Sequence, residues 1–133
     1  METNIKKLKH AIYEELNKSE VDIEIISIAN TIIEKSFPNI QEDDKFWVEG
    51  AKDLIEGLLY MALYMNEEAD LTLLKELRNQ DIVSFAEKLQ KVVEKYPRAD
   101  NALSKIEVVL SDKTTKTAKA FWDTFLFATK FLD

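Results

Sequence analysis

The sequence is poor in the residues that interrupt or cross-link secondary structure. Its 133 residues include no cysteine, two glycines and two prolines. The absence of cysteine excludes disulfide bonds and thiolate metal ligands formed by this chain. Sheet proteins with many tight turns depend on glycine and proline, and average glycine usage alone is about 7%. The scarcity of both residues therefore predicts an all-α fold.

Residues that carry catalytic chemistry are also scarce. His10 is the only histidine, and we interpret it as an incidental side chain on a lysine-rich helix. The sequence has no glycine-rich phosphate-binding motif, no H-E-x-x-H motif and no Glu-x-x-His pair of the kind that di-metal bundles use. We therefore predict no catalytic residue, no metal ligand and no cofactor site in this chain, which we do not expect to be an enzyme by itself.

The size and charge are those of one acidic globular domain. Hydrophobic residues make up 46% of the chain and charged residues 32%, which is ordinary for a folded domain. The longest apolar run, Leu58 to Met65, is far shorter than the roughly 20 residues that span a bilayer. The net charge is −7 and is concentrated in residues 36–80, whereas residues 81–133 are nearly neutral. This balance disfavours nucleic-acid binding except through the C-terminal third.

Apolar residues recur at helical spacing along the chain. A first amphipathic helix, capped near Thr3, is predicted from Ile5, Leu8, Ile12 and Leu16. Further helices are predicted at about 21–36, 44–65, after Asp70, from Asp81 to before Pro97, at 99–110 and from near Asp112 to the end. Alternation in Val21–Ile25 leaves a short strand open as an alternative. We expect a compact bundle of six to seven helices around a buried central helix (about 44–65).

The central helix contains both glycines of the chain. Gly50 and Gly57 are seven residues apart, so they lie on one side of a helix, where a missing Cβ allows close packing. We expect them to share a buried seam with Trp47, Leu54, Leu58 and Met61. The opposite, solvated face is predicted to consist of Glu49, Lys52, Asp53 and Glu56. We interpret Phe46 and Trp47 as residues that organise the bundle and do not contact a partner.

The last helix is rich in aromatic residues: Phe121, Trp122, Phe125, Phe127 and Phe131. Phe127 and Phe131 are partly out of register with the core seam, so we predict that they cover a neighbouring domain. No helix-ending signal precedes Asp133. We therefore expect 1–133 to be a single all-α domain excised from a larger protein, with residues 1–20 either a linker or a peripheral helix.

Two charged rows are candidate partner-binding surfaces. One row is acidic and comprises Glu42, Asp43, Asp44, Glu49, Asp53 and Glu56, and we take Glu49, Asp53 and Glu56 as the binding residues for a basic protein. The other is Lys113, Lys116 and Lys119, which oppose the dipole at the start of the last helix and would suit phosphates or an acidic partner. A merely solubilising role remains open for both rows, and a carboxylate pair such as Asp53 with Glu56 is more simply a solvated surface than a general acid and base.

Part of the sequence resembles a known family. Ile28-Ala29-Asn30-Thr31-Ile32-Ile33, followed by Asp44-Lys45-Phe46-Trp47 with Ala51, Leu54, Leu58 and Leu59, is similar to the all-α domain of type IV coupling proteins. These are the TraG/TraD-like ATPases of bacterial conjugation and type IV secretion. The segment Lys113-Thr114-Thr115-Lys116-Thr117, followed by Phe125 and Leu126, resembles the helix that returns to the nucleotide-binding core. Lys45 departs from the usual proline, and Gly57 from the common alanine. The likeness covers about residues 21–133.

The resemblance implies a receptor function. The parent would be a membrane-anchored hexameric ATPase with ATP and Mg²⁺ sites outside this chain, and the all-α domain would lie in the bacterial cytoplasm. There it would receive a relaxase, a relaxosome accessory protein or a secreted protein, and the isolated domain would be a monomer. Two alternatives remain open, namely a stand-alone α-helical adaptor or regulator, and contact with single-stranded DNA through the lysine row.

Overall fold

The computed structural model describes residues 18–65, 71–111 and 116–132, and this part of the chain is almost entirely helical. It contains six α-helices and no strand, which confirms the predicted all-α bundle. The helices are α1 (Lys18–Ser36), α2 (Lys45–Met65), α3 (Leu71–Arg78), α4 (Ile82–Lys95), α5 (Asp100–Ser111) and α6 (Lys116–Ala128). The predicted helix at Ile5–Leu16, the Asp70 cap and the start of the last helix near Asp112 lie outside the described residues.

Val21–Ile25, for which a short strand was left open as an alternative, belong to helix α1. Val21 and Ile25 are buried, whereas Ile23 between them is 64% exposed. This is the i, i+4 pattern of a helix and not the period of two that a strand requires. The helix ends where predicted, because Phe37 still donates its N–H to the carbonyl of Ile33 at 2.8 Å and Pro38 cannot continue the ladder.

Helix α2 is the centre of the bundle, as predicted. It contacts each of the other five described α-helices, and its residues Leu54–Leu63 are all buried. A 3₁₀ turn at Glu42–Asp44 precedes it, so the α-helix begins at Lys45. The three acids of this turn lie at the positive end of the helix dipole, where negative charge is favoured.

The two glycines of α2 allow two other helices to approach its backbone. A Cβ at Gly50 would lie 2.0 Å from the ring of Phe121, a buried residue of α6. A Cβ at Gly57 would lie 2.4 Å from the Cβ of Ala102 in α5. Both distances are far below van der Waals contact, so the predicted packing role of the glycines is confirmed at both positions.

Local signals determine the ends of α4 as predicted. The Asp81 carboxylate accepts a hydrogen bond from the Ser84 backbone N–H at 2.9 Å and a second from the Ser84 hydroxyl at 2.9 Å. These bonds favour the ionised form and lower the pKa of Asp81. Pro97 then begins a 3₁₀ turn, Pro97–Ala99, that leads directly into α5.

The last helix does not continue to the end of the chain, which corrects the prediction. Helix α6 ends at Ala128, and a 3₁₀ turn follows at Lys130–Leu132. The buried guanidinium of Arg78 donates to the carbonyl of Leu126 at 2.6 Å and to the hydroxyl of Thr129 at 3.1 Å. Thr129 in turn donates to the carbonyl of Phe125 at 2.7 Å. These side chains satisfy the last carbonyls of α6 and place a cation at its negative end.

We predict that Gly57→Ala destabilises the domain. Alanine favours a helix interior over glycine by about 1 kcal/mol, but the new Cβ would overlap that of Ala102, and overpacking of this kind costs about 1–3 kcal/mol. We expect the free energy of unfolding, measured by urea titration, to fall by about 1 kcal/mol. In an Ala102→Gly background the same substitution should cost less or stabilise the domain, because the nearest obstruction is gone and the remaining one, Leu89 Cδ2 at 3.2 Å, is the end of a flexible side chain. A stabilising Gly57→Ala in the wild-type background would contradict the close approach.

Candidate protein-interaction surface

An open groove lies between the α1–α2 connection and α6. Its volume is about 500 Å³, and the connection residues Ser36–Ile40 form one wall. Trp47 and Val48 of α2 form the floor with Asp44 at one edge, and Ala120 and Thr124 of α6 form the other wall. We call this cavity the aromatic groove. A cavity of this size is in the range of ligand and peptide sites.

One strongly exposed aromatic side chain, Phe46, packs on the groove residue Trp47. Phe46 is 62% exposed, although its ring lies 4.9 Å from that of Trp47 and 5.2 Å from that of Phe121. Phe46 thus packs on aromatic residues of the bundle, and most of its surface also faces solvent. Whether it contacts a partner stays a prediction. Its backbone position at the first turn of α2, one residue before the buried seam, directs it outward. Trp47 is half-buried and packs on Phe121 at 5.3 Å, so it belongs to both the core and the groove.

A second open cavity lies at the other end of this surface. Its volume is about 530 Å³, and it is lined by Lys35, Ser36, Phe127, Ala128, Lys130 and Phe131. Phe127 is 58% exposed and Phe131 is 44% exposed, as expected for residues outside the core seam. Whether another domain covers them stays a prediction. We call this cavity the lysine-rimmed cavity.

The two cavities form one surface. Ser36 lines both of them, and its hydroxyl donates to the carbonyl of Ala128 at 3.2 Å, which joins the end of α1 to the end of α6. The ring of Phe37, in the aromatic groove, lies 5.4 Å from that of Phe127 in the lysine-rimmed cavity. Aromatic side chains of the two cavities therefore meet at the join.

Sequence reasoning did not select the connection residues of this surface. Phe37 and Ile40 flank the sequence Pro38-Asn39, which was treated only as the end of a helix. The available signal was an apolar residue on each side of a short proline turn. In the structure Ile40 is 37% exposed and Phe37 is partly buried against the core.

The predicted acidic binding residues lie elsewhere and are largely engaged within the fold. Glu49 is exposed, but Asp53 pairs with Lys105 of α5 at 3.2 Å. Glu56 was predicted on the solvated face and is instead only 2% exposed, so that prediction is wrong. The reason is tertiary, because the Pro97–Ala99 turn and α5 pack against this face of α2. Arg98 of that turn donates from Nε to Glu56 Oε1 at 2.8 Å.

Glu56 belongs to a buried polar cluster. Its second oxygen, Oε2, is buried and has no hydrogen-bond partner in the described part of the chain. Burial raises the pKa of Glu56, although the hydrogen bond and charge of Arg98 act in the opposite direction. One turn later the fully buried Tyr60 donates its hydroxyl to Asp22 of α1, and burial together with that carboxylate raises the pKa of Tyr60. The cluster joins α1, α2 and the turn before α5.

The predicted lysine row can be located only in part. Lys119 is exposed on α6. Lys116 begins the same helix, but its side chain lies outside the described part of the structure, as does the whole of Lys113. Neither the row nor its role in binding is tested by the described residues.

Two classes of site are not found in the described residues. Within 18–65, 71–111 and 116–132, no group of three or more acidic, histidine or cysteine side chains could hold a metal ion. No described helix is both long enough and apolar enough to cross a membrane.

Comparison of the chain with protein-family models, curated proteins and solved structures gives no match. The fold therefore defines the class of protein, a helical bundle with an open aromatic surface, and the resemblance to coupling proteins stays a prediction.

We predict that the Glu56–Arg98 pair makes stability depend on pH. A carboxyl group whose pKa is raised by folding contributes most stability below its ordinary value of 4.5, and this contribution is lost as the pH rises through the raised pKa. Glu56→Gln removes that titration. The free energy of unfolding of Glu56→Gln, relative to wild type, should therefore increase between pH 4 and pH 7 in urea titrations. A constant or decreasing difference would contradict the raised pKa.

Arg98→Met provides the complementary measurement. It leaves the Glu56 carboxylate buried without its donor, which costs about 1–3 kcal/mol near pH 7 when discounted for the 34% exposure of Arg98. The cost should shrink toward pH 4, where Glu56 is protonated. Lys105→Met is the matched control, because it breaks the more exposed pair with Asp53 and should cost less than about 1 kcal/mol.

Proposed function

We propose that this domain is a protein-interaction module that binds a segment of a partner protein across the aromatic groove and the lysine-rimmed cavity. The observation that carries the proposal is a set of exposed aromatic side chains beside two open cavities of about 500 and 530 Å³. Phe46 packs on the groove residue Trp47, and Phe127 and Phe131 line the lysine-rimmed cavity. Aromatic residues at the centre of an interface contribute most of its binding energy. Exposed apolar patches beside a cavity on a folded domain are a mark of interaction sites.

The resemblance described above suggests which partner this is. We propose that the domain is the substrate receptor of a type IV coupling protein, and that it binds a relaxase, a relaxosome accessory protein or a secreted protein in the bacterial cytoplasm. The similarity of the Asp44–Trp47 segment and the α2 core residues supports this identification. The parent would supply the ATPase and the membrane anchor. Such a domain would be non-catalytic by itself.

Two other functions remain as alternatives. A stand-alone helical adaptor or regulator would use the same aromatic surface, so it shares the binding mode and differs only in the parent protein. Contact with single-stranded DNA would use the lysine row, of which Lys119 is the one side chain in the described residues. The aromatic surface favours a protein partner, because the turn Glu42–Asp44 beside it is acidic and would repel phosphates.

We predict that the aromatic surface selects peptides. Sixteen-residue random peptides displayed on phage should yield binders to the full chain, and Phe46→Ser or Phe127→Ser should weaken each binder about tenfold or more, as measured by fluorescence anisotropy. Ile23→Ser on α1 and Val83→Ser on α4 are matched controls, because both residues are similarly exposed and lie on other helices. Binders that lose affinity equally in the controls, or no binders at all, would argue against the proposed interaction surface.

We predict that the genomic reading frame identifies the parent. If this is a coupling-protein domain, the frame upstream should encode a Walker A motif, G-x-x-x-x-G-K-[ST], whose backbone N–H groups hold phosphates. Sequencing the flanking DNA measures this directly. A frame that starts at Met1, with no such motif nearby, would exclude the coupling protein and leave the stand-alone adaptor.

A further inference from the structure

One end of the interaction surface is acidic. Asp44 lines the aromatic groove, and Asp43 is exposed in the same 3₁₀ turn. Glu42 pairs with Lys45 at 2.8 Å, but these side chains are 85% and 59% exposed, so solvent screens the pair. Asp123 of α6 is a further exposed carboxylate, next in sequence to the groove residue Thr124, although it does not line the groove. Two bases also lie here, namely Lys45, the partner of Glu42, and the exposed Lys119 next to Ala120. Four acids against two bases leave this end with a net negative charge.

The other end is basic. Lys35 at the end of α1 and Lys130 in the turn after α6 both line the lysine-rimmed cavity. Glu34 precedes Lys35 and is exposed, but it does not line the cavity. The apolar side chains of Phe37 and Phe127 lie between the acidic and basic ends. The surface therefore has an acidic end, an aromatic middle and a basic end.

The length of the surface suits a short helix. From Ala120 to Ala128, α6 spans roughly 12 Å at a rise of about 1.5 Å per residue. The 3₁₀ turn that contains Lys130 extends the surface by a few ångströms, at about 2 Å per residue. A partner helix of about three turns has the same length and can present apolar residues at i, i+4 and i+7 to the aromatic middle. Charged residues at its two ends then lie over the charged ends of the surface.

We propose, on the basis of the function proposed above, that the occupant is an amphipathic helical segment of a partner protein whose basic end lies over Asp43 and Asp44 and whose acidic end lies over Lys35 and Lys130. Opposite charges at both ends hold the segment in one orientation, and the reverse orientation places like charges together. The acids belong at the N-terminus of the segment and the bases at its C-terminus, because a helix dipole favours this order in the partner itself.

Double-mutant cycles test this orientation. The probe is the tightest peptide selected against the full chain, measured by anisotropy at low salt. In the protein, Asp43→Asn with Asp44→Asn neutralises one end, and Lys35→Gln with Lys130→Gln neutralises the other. In the peptide, the Lys/Arg residues or the Asp/Glu residues are replaced by Gln. We expect each protein variant to weaken binding about two- to fivefold. Each variant should couple only to the peptide end of opposite charge.

The control variant neutralises charges that lie away from the interaction surface. Glu87→Gln with Lys91→Gln, on the exposed side of α4, should leave the affinity unchanged. The proposed charge order would be wrong if the selected peptides depend on Phe46 and Phe127 but do not carry acids at one end and bases at the other. It would also be wrong if the double-mutant cycles show no coupling. In both cases the proposed interaction module still holds. If no selected peptide depends on these phenylalanines, the module itself fails.

Two other occupants of the surface would also overturn the proposal, and each has its own signature. A dimer of the full chain in analytical ultracentrifugation that dissociates in Phe127→Ser would assign the surface to a second copy. A large loss of thermal stability in Phe127→Ser, with no peptide bound by the wild-type chain, would mean that the chain fills the surface itself. The proposal requires two results. Phe127→Ser must unfold cooperatively at the same temperature as the wild-type chain, and the wild-type chain must bind peptides that show the expected coupling in the double-mutant cycles.

Discussion

The close approach of α5 and α6 to the backbone of α2 is the constraint on which the rest of the structure depends. Helix α2 contacts all five other described helices and is buried at every residue from Leu54 to Leu63, so its neighbours must come near enough to exclude water from that segment. The missing Cβ of Gly57 leaves room for Ala102, and the missing Cβ of Gly50 leaves room for the ring of Phe121. Interior packing is dense and tolerates little added volume, so these two positions set the distances between the helices.

The interaction surface is a consequence of this packing. The ring of Phe121 packs against Gly50 and contacts Phe46 and Trp47. The hydrogen bond from Ser36 to Ala128 joins the end of α1 to the end of α6. Arg78 and Thr129 then end α6 at Ala128 by binding its last carbonyls, so that Phe127 and Phe131 remain at the surface. Buried core residues thus support the aromatic groove, and contacts with the core determine the positions of the exposed aromatic side chains.

The boundaries of the helices were largely predictable from the sequence, whereas the burial and pairing of the charged residues were not. Asp81, Pro38 and Pro97 act through their immediate neighbours, and α1, α4 and α5 accordingly end within a few residues of the predictions. Glu49, Asp53 and Glu56 share one face of α2, and their periodicity alone indicates solvent. The fold instead brings Lys105 and Arg98 from α5 and its preceding turn to that face. Periodicity reports which residues share a face but not which helix covers it.

The sequence by itself determined the all-α class, the central position of α2 and the packing role of its glycines. Each of these follows from composition or from local spacing, because helix formation and glycine tolerance are properties of short segments. Only the tertiary structure decided that Glu56 is buried, that Phe46 faces solvent and that Ser36–Ile40 meets α6 to form a groove. These features depend on contacts between residues far apart in the chain, Phe37 with Phe127 and Glu56 with Arg98. Such contacts exist only when all the helices have packed.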